Sequence, residues 1–227
     1  VNPIYGQLPV ANFYKIDKDY VVKDSTVYEF NQLPKDSVLF YEIEAKKYLA
    51  SLNSEQDSIK TLEVYHYILN ANLNLKRQDS ALVYAYKILN YPGVKASKGG
   101  INMYWSIFRI YGYAENYVGQ LELIEPLKAL GEKHNYFKDT EPLNLQKLNG
   151  DVLLMAGYYK EASSFYTNNL IGDPRSYDPL RYAVVVNDLA GIYEDLYLPD
   201  SVKKYREIAF KTLKSNRPST FEKVYKD

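Results

Sequence analysis

Apolar residues recur at three- and four-residue spacing along most of the chain. Ile59, Leu62, Leu69 and Leu73 form one series with His66 in step; Leu145, Leu148, Val152 and Met155 form a second, and Val185, Leu189, Ile192 and Leu196 a third. This is the stripe of an amphipathic helix, not the residue-by-residue alternation of a half-buried strand. Breakers separate the stripes at Pro92-Gly93, Lys98-Gly99-Gly100, Gly172-Asp173-Pro174 and Pro199. Asp-Ser pairs at 24–25, 36–37, 57–58, 79–80 and 200–201 read as helix starts. A capping Asp or Ser accepts a hydrogen bond from a first-turn N–H, worth about 1 kcal/mol.

These signals predict helices over 36–52, 58–75, 79–90, 101–115, 117–134, 141–156, 158–171, 178–196 and 200–215, with a further one over 218–225. Residues 1–35 are less regular: 10–22 and 26–33 suit short helices, while Pro3, Gly6 and Pro9 suit an extended lead-in. Pro126 falls inside the helix expected over 117–134. Proline there removes a backbone bond and costs about 3 kcal/mol unless the helix kinks or restarts.

Pairing the helices exposes a repeat. The sharpest copy reads Gly150, Leu153, Gly157, Tyr159, Ala162, Tyr166 and Pro174. Weaker copies hold Ala190, Tyr193, Val202 and Ala209; Tyr104, Tyr111 and Tyr117, with Gln120 where a small residue belongs; and Asn72, Ala81 and Ile88, followed by Pro92. The positions early in each second helix, 81, 120, 162 and 202, are 39, 42 and 40 residues apart, and Val38 lies 43 residues before the first. Small residues let paired helices approach, aromatics fill the space to the next layer, and proline stops the second helix.

This pattern resembles the tetratricopeptide (TPR) repeat family, with repeats longer than the family's usual length of about 34. The longer form is similar to the divergent modules attached to bacterial sensor kinases and helix-turn-helix regulators, by its repeated Asp-Ser-(Ala/Val) and its tyrosine-rich style. The resemblance implies an all-α fold, a right-handed superhelical stack of antiparallel helix pairs. It covers residues 36–215, with 1–35 as a lead-in and 216–227 as a terminal helix or the start of a linker.

Composition narrows the function classes. Lys plus Arg equals Asp plus Glu at 28 each, so the chain lacks the basic field that drives nucleic-acid binding. There is no cysteine, which excludes disulfides and thiolate metal sites and fits an extracytoplasmic protein as well as a cytosolic one. The longest aliphatic run, Ala183-Val184-Val185-Val186, is far short of the roughly 20 residues that span a bilayer. The chain starts at Val1, as a mature product or an excised piece would. The 25 tyrosines supply apolar area with a hydroxyl each, suited first to packing between helices.

Nothing in the sequence assembles a catalytic or cofactor site, and no enzyme activity is expected. The two histidines, His66 and His134, fall in different repeats, with no second nitrogen ligand at helical spacing. His134 is placed to meet a helix C-terminus. Gly99-Gly100 has no Lys-Ser after it and reads as a plain loop before a helix. Glu194 and Asp195 are adjacent and point about 100° apart on a helix, so they are not an acid–base couple.

What remains is the concave groove, lined in the family by the first helix of each pair. The resemblance places His66, Asn70 and Asn74 there from one helix, and Asn102, Trp105, Arg109 and Tyr113 from the next. It adds Asn144, Lys147 and Asp151 from a third, and Asn187, Gly191, Glu194 and Asp195 from a fourth. Asparagine amides both donate to and accept from a peptide backbone, and Trp, Arg and Tyr are typical binding anchors. Lys147 fits the first position of the family's carboxylate clamp, but Asp151 stands where a neutral amide is needed. The expectation is a protein- or peptide-binding scaffold in a bacterial signalling or regulatory protein. Its partner is a second protein or a further domain of the same polypeptide. An extracytoplasmic lipoprotein-type accessory in envelope assembly or glycan uptake is the second reading, with Trp105 stacking on sugar.

Overall fold

The structure is a computed structural model that describes residues 15–23, 33–53, 57–136, 142–169 and 179–216. They form a short hairpin, β1 (Lys15–Ile16) and β2 (Val22–Lys23), and then helices only. The helices are α1 (Lys35–Ser51), α2 (Ser58–Asn74), α3 (Gln78–Leu89), α4 (Lys98–Tyr113), α5 (Tyr117–Lys133), α6 (Pro142–Met155), α7 (Tyr159–Asn169), α8 (Pro179–Asp195) and α9 (Pro199–Asn216), with a 3-10 turn at Val94–Ala96. Each helix expected between 36 and 215 is present, its ends displaced by three residues at most. The helix expected over 218–225 lies outside the described residues.

Two compact units divide the chain, Val1–Tyr136 and Phe137–Asp227. In the first, α1 to α5 pack each against the next; in the second, α6 to α9 do so. The three-residue turns after α2, α4, α6 and α8 make the helices they join antiparallel. The first unit's core includes Val38, Tyr67, Ile68, Ala71, Ile107, Ile124 and Leu127, and the second's Val152, Tyr166, Val186, Leu189 and Ala190. Burial of each large apolar side chain contributes roughly 1.5–3 kcal/mol.

The repeat is written most clearly in the backbone. Lys76, Glu115, Gly157 and Tyr197 each take a left-handed conformation, with φ of 57°, 54°, 80° and 56°. The residue after each donates its N–H to the carbonyl five back: Arg77 to Asn72, Asn116 to Tyr111, Tyr158 to Leu153 and Leu198 to Tyr193, at 2.8–2.9 Å. This is the Schellman closure of a helix end. The four turns are 39, 42 and 40 residues apart, the spacing of 81, 120, 162 and 202 in the sequence. Ala81 and Ala162 are fully buried five residues after their turns. Gln120 is also buried, and donates to the Phe108 carbonyl at 3.0 Å. It fits because Gly112 opposite has no side chain: a Cβ there would lie 2.8 Å from its Nε2.

Several local expectations need correction. Residues 15–23 form a hairpin, not part of a helix over 10–22. Its turn is held by Asp17, whose carboxylate accepts from the N–H groups of Asp19 and Val21 at 2.9 and 3.0 Å. The described Asp-Ser pairs do not supply side-chain caps. Asp36, Asp79 and Asp200 lie inside the first turn, where their charge complements the helix dipole, and Asp57 makes no cap bond. Side-chain caps come instead from Ser97, to the Gly100 N–H, and Asn116, to the Gly119 N–H. Ser97 therefore starts α4 early, and Gly99-Gly100 belongs to its first turn. The helix α5 runs through Pro126, which is exposed.

Candidate functional site

In the first unit, the facing sides of α2 and α4 enclose two cavities. On α2 the steps of four that place His66, Asn70 and Asn74 on one stripe leave them facing α4. On α4, Asn102, Ser106, Arg109 and Tyr113 form the matching stripe. The larger cavity, 570 Å³, has Leu73 and Ile110 as its apolar floor. Asn70, Asn74, Gln78 and Ser106 supply amides and a hydroxyl, and Lys76, Arg109 and Tyr113 complete the wall. The guanidinium of Arg109 donates to the Tyr113 hydroxyl at 3.3 Å, and Gln78 donates to the Tyr113 carbonyl at 3.3 Å. Among the described residues neither Lys76 nor Arg109 has a carboxylate within ion-pairing distance. Among the described residues the cavity thus presents two cations and no acidic side chain.

The smaller cavity, 160 Å³, lies along the same groove and is roofed by the hairpin through Tyr20 and Val22. The hairpin is fixed at both ends of its contact. The Gly99 N–H donates to the Asp19 carbonyl at 2.9 Å, and the Ile16 N–H is hydrogen-bonded to Glu63. Tyr20 has a φ of 58° and its backbone lies so close to Gly99 that a Cβ there would collide with its carbonyl oxygen. Gly99 is thus the seat of the hairpin. His66 faces this cavity and is buried; burial lowers its pKa to about 4, so the imidazole is neutral at pH 7. Glu63 is pushed up by partial burial, against the pull of the Ile16 N–H and Lys60.

Of the residues expected in the groove, His66, Asn70, Asn74, Asn102, Arg109 and Tyr113 line one or both cavities. Trp105 lines neither: its ring packs edge-on against Phe108, with centroids 5.8 Å apart. Asn102 accepts from the Tyr136 hydroxyl at 3.3 Å. His134 caps α5, with its ring Nε2 2.7 Å from the Ala96 carbonyl. Four polar side chains of the lining, Tyr20, Lys76, Gln78 and Ser106, are not among the expected groove residues. Ser106 sits one turn after Asn102 and was reachable by helical spacing; Lys76 and Gln78 enter from the α2–α3 turn, and Tyr20 from the hairpin, where spacing gives no lead.

The second unit holds the other expected positions. The ammonium of Lys147 is already neutralised, by Asp151 at 2.8 Å and by Asp188 on α8 at 3.0 Å. Burial pulls its pKa down, but hydrogen bonds to the two carboxylates and their charge more than offset that and raise it. Asp151 also accepts from the Tyr166 hydroxyl, whose pKa is pushed up by burial and by that carboxylate. Lys147 therefore braces α6, α7 and α8 and has no charge to spare for a partner's carboxylate. Asn187 and Asp195 are exposed on α8, Gly191 has open space beside it, and Glu194 pairs with Arg206 at 2.5 Å. The side chain of Asn144, on α6, lies outside the described residues.

Among the described residues no cluster of three His, Asp or Glu could hold a metal, and no helix is long and apolar enough to cross a membrane. No family model and no curated protein matches the sequence. Two solved structures do match the fold. One is a kinesin-light-chain-type protein of Podosopora anserina with nearly identical TPR-like repeats: TM-score 0.60 at 14% identity, over 85% of this chain and 94% of that one. A point variant of the same protein matches with TM-score 0.59 and 14% identity, over 85% of this chain and 93% of its own. At this identity the likeness concerns architecture, and the chain has the fold of the TPR-like helical repeats.

Proposed function

We propose that this chain is a non-catalytic protein-binding module whose α2–α4 groove takes an extended peptide segment bearing a carboxylate. The observation that carries the reading is the lining of the 570 Å³ cavity: Lys76 and Arg109, the amides of Asn70, Asn74 and Gln78, an apolar floor and, among the described residues, no acidic side chain. Amides can match a peptide's own N–H and C=O groups, and a guanidinium binds a carboxylate through a fork of donors. A peptide suits this surface better than a glycan, because Trp105 is turned to Phe108 and, among the described residues, only Tyr113 offers a ring to the cavity. The setting we propose is a signalling or regulatory protein, on the strength of the long, tyrosine-rich repeats.

The test is a nuclear magnetic resonance titration with a pool of extended glutamate-containing nonapeptides and with the same pool carrying glutamine instead. The acidic pool is expected to shift the signals of Asn70, Asn74 and Ser106, and the neutral pool to shift them far less. Equal shifts from both pools, or shifts confined to other surfaces, would reject the reading.

A further inference from the structure

We infer that the exposed side of α9 is a docking surface for an amphipathic helix of a partner protein, one that carries acidic side chains beside its apolar stripe. A groove of about 1110 Å³ runs from the α8–α9 turn along α9. Its apolar lining includes Tyr197, Leu198, Val202 and Phe210; Tyr197 is 90% exposed, Leu198 47% and Phe210 44%. Contiguous exposed apolar surface with a polar rim marks an interaction site.

Charge selects the occupant. The rim holds Lys203, Arg206, Lys211 and Lys214 against Glu194 and Glu207. Glu194 pairs with Arg206 at 2.5 Å, and Glu207 approaches Lys211 at 3.8 Å. That leaves Lys203 and Lys214 with no carboxylate among the described residues, and eleven positions along a helix set them about 16 Å apart. A partner helix with Asp or Glu at the same separation would meet both while its apolar stripe covers Leu198 and Val202.

Two other occupants fit less well. Nine residues after the left-handed turn, the repeat places Ala85, Ile124 and Tyr166, each buried; the equivalent in α9 is the exposed Arg206. The surface is therefore not made to receive another helix pair of the same kind. A second copy would bring the same helix, with five basic residues (203, 204, 206, 211 and 214) and two acidic ones (200 and 207), against itself. Like charges opposed across an interface disfavour that pairing.

The probe is a fluorescein-labelled 18-residue helical peptide with leucines at i, i+3 and i+7 and glutamates on the flanks, alongside a counterpart with lysines. Anisotropy with the full chain is expected to show binding of the acidic peptide that weakens as salt rises. The double variant Lys203→Glu/Lys214→Glu, its fold verified by circular dichroism, should bind the acidic peptide at least about tenfold less tightly and prefer the lysine peptide. Arg109→Ala, in the other unit, should leave this binding unchanged, which keeps the result separate from the fate of the α2–α4 groove. Failure of the full chain to bind, or indifference to the charge reversal, overturns the inference. So does a concentration-dependent dimer abolished by Leu198→Asp, which would give the face to a second copy. Binding that emerges only in a chain shortened to Asn216 would give it to residues 217–227 and overturns it equally.

Discussion

Gly150 on α6 lies against the ring of Tyr166 on α7: a Cβ on the glycine would stand 2.6 Å from Cε2 of the tyrosine. Tyr166 is fully buried and its hydroxyl is tied to Asp151, so the ring has nowhere to go. Gly150→Ala is expected to destabilise the protein by about 1–3 kcal/mol, the cost of overpacking, although alanine is the better helix former. Gly191→Ala is the control. That glycine is also inside a helix, but nothing lies within 4 Å of where its Cβ would be. There helix propensity acts alone, and the substitution should stabilise by about 0.5–1 kcal/mol. Urea denaturation of the two variants checks the pair; equal effects would refute the contact.

The turn after α4 offers a second test. Glu115 holds a φ of 54°, a conformation that costs a residue with a Cβ roughly 1 kcal/mol and costs glycine nothing. Glu115→Gly should stabilise by up to about 1 kcal/mol. Gly157→Ala, at the equivalent turn with φ 80°, should destabilise by a similar amount. Thermal melts of both variants decide it, and a loss of stability in Glu115→Gly would contradict the turn geometry.

His66 links the hairpin-roofed cavity to pH. Burial lowers its pKa from 6.5 to about 4, so the unfolded chain takes up a proton at a pH where the folded one does not. The sign follows: this group's contribution is complete above about pH 6.5 and is lost as pH falls through 6.5 towards 4, levelling below that. Its full size is about 3 kcal/mol, at 1.36 kcal/mol for each pH unit of difference. His66→Gln removes the term while carboxylates titrate equally in both proteins. Between pH 7.5 and 4.5 the wild type should therefore lose more stability than the variant. Parallel curves would mean that the folded protein admits a proton at His66.

The periodic stripes were enough to place the helices, because burial on one face leaves a 3.6-residue trace in the sequence. Where local chemistry competes with periodicity, the hydrophobic pattern carries no signal. Asp17 builds the hairpin turn through side-chain bonds that no hydrophobic pattern records, and Ser97 starts α4 ahead of its first periodic residue. The repeat looked degenerate because only Gly157 among the four turn residues is a glycine, and because Gln120 takes a small residue's place with Gly112 making room. For the site, residues at helical steps on α2 and α4 were found together. The neutralisation of Lys147 is invisible to spacing, because its partner Asp188 is 41 residues away in sequence.

The groove itself is tested by separating Arg109 from its neighbours on α4. Arg109 is exposed and, among the described residues, its guanidinium reaches only the Tyr113 hydroxyl, so Arg109→Ala should leave folding stability within about 0.5 kcal/mol. The same change should weaken binding of an acidic peptide by about 1–3 kcal/mol, because a forked donor facing the ligand is lost. Ile107→Ala, on the same helix but fully buried, should do the reverse: about 2–5 kcal/mol of stability lost, with affinity of the folded fraction preserved. Trp105 distinguishes the two surfaces. Its ring packs on Phe108 and faces neither cavity, so Trp105→Ala should act on stability as Ile107→Ala does, though less strongly. Calorimetric titration and urea denaturation of the three variants give both quantities. If Trp105→Ala weakens peptide binding more than Arg109→Ala does, the recognition face runs along the Trp105 side of α4, and the cation-lined cavity is not where the peptide sits.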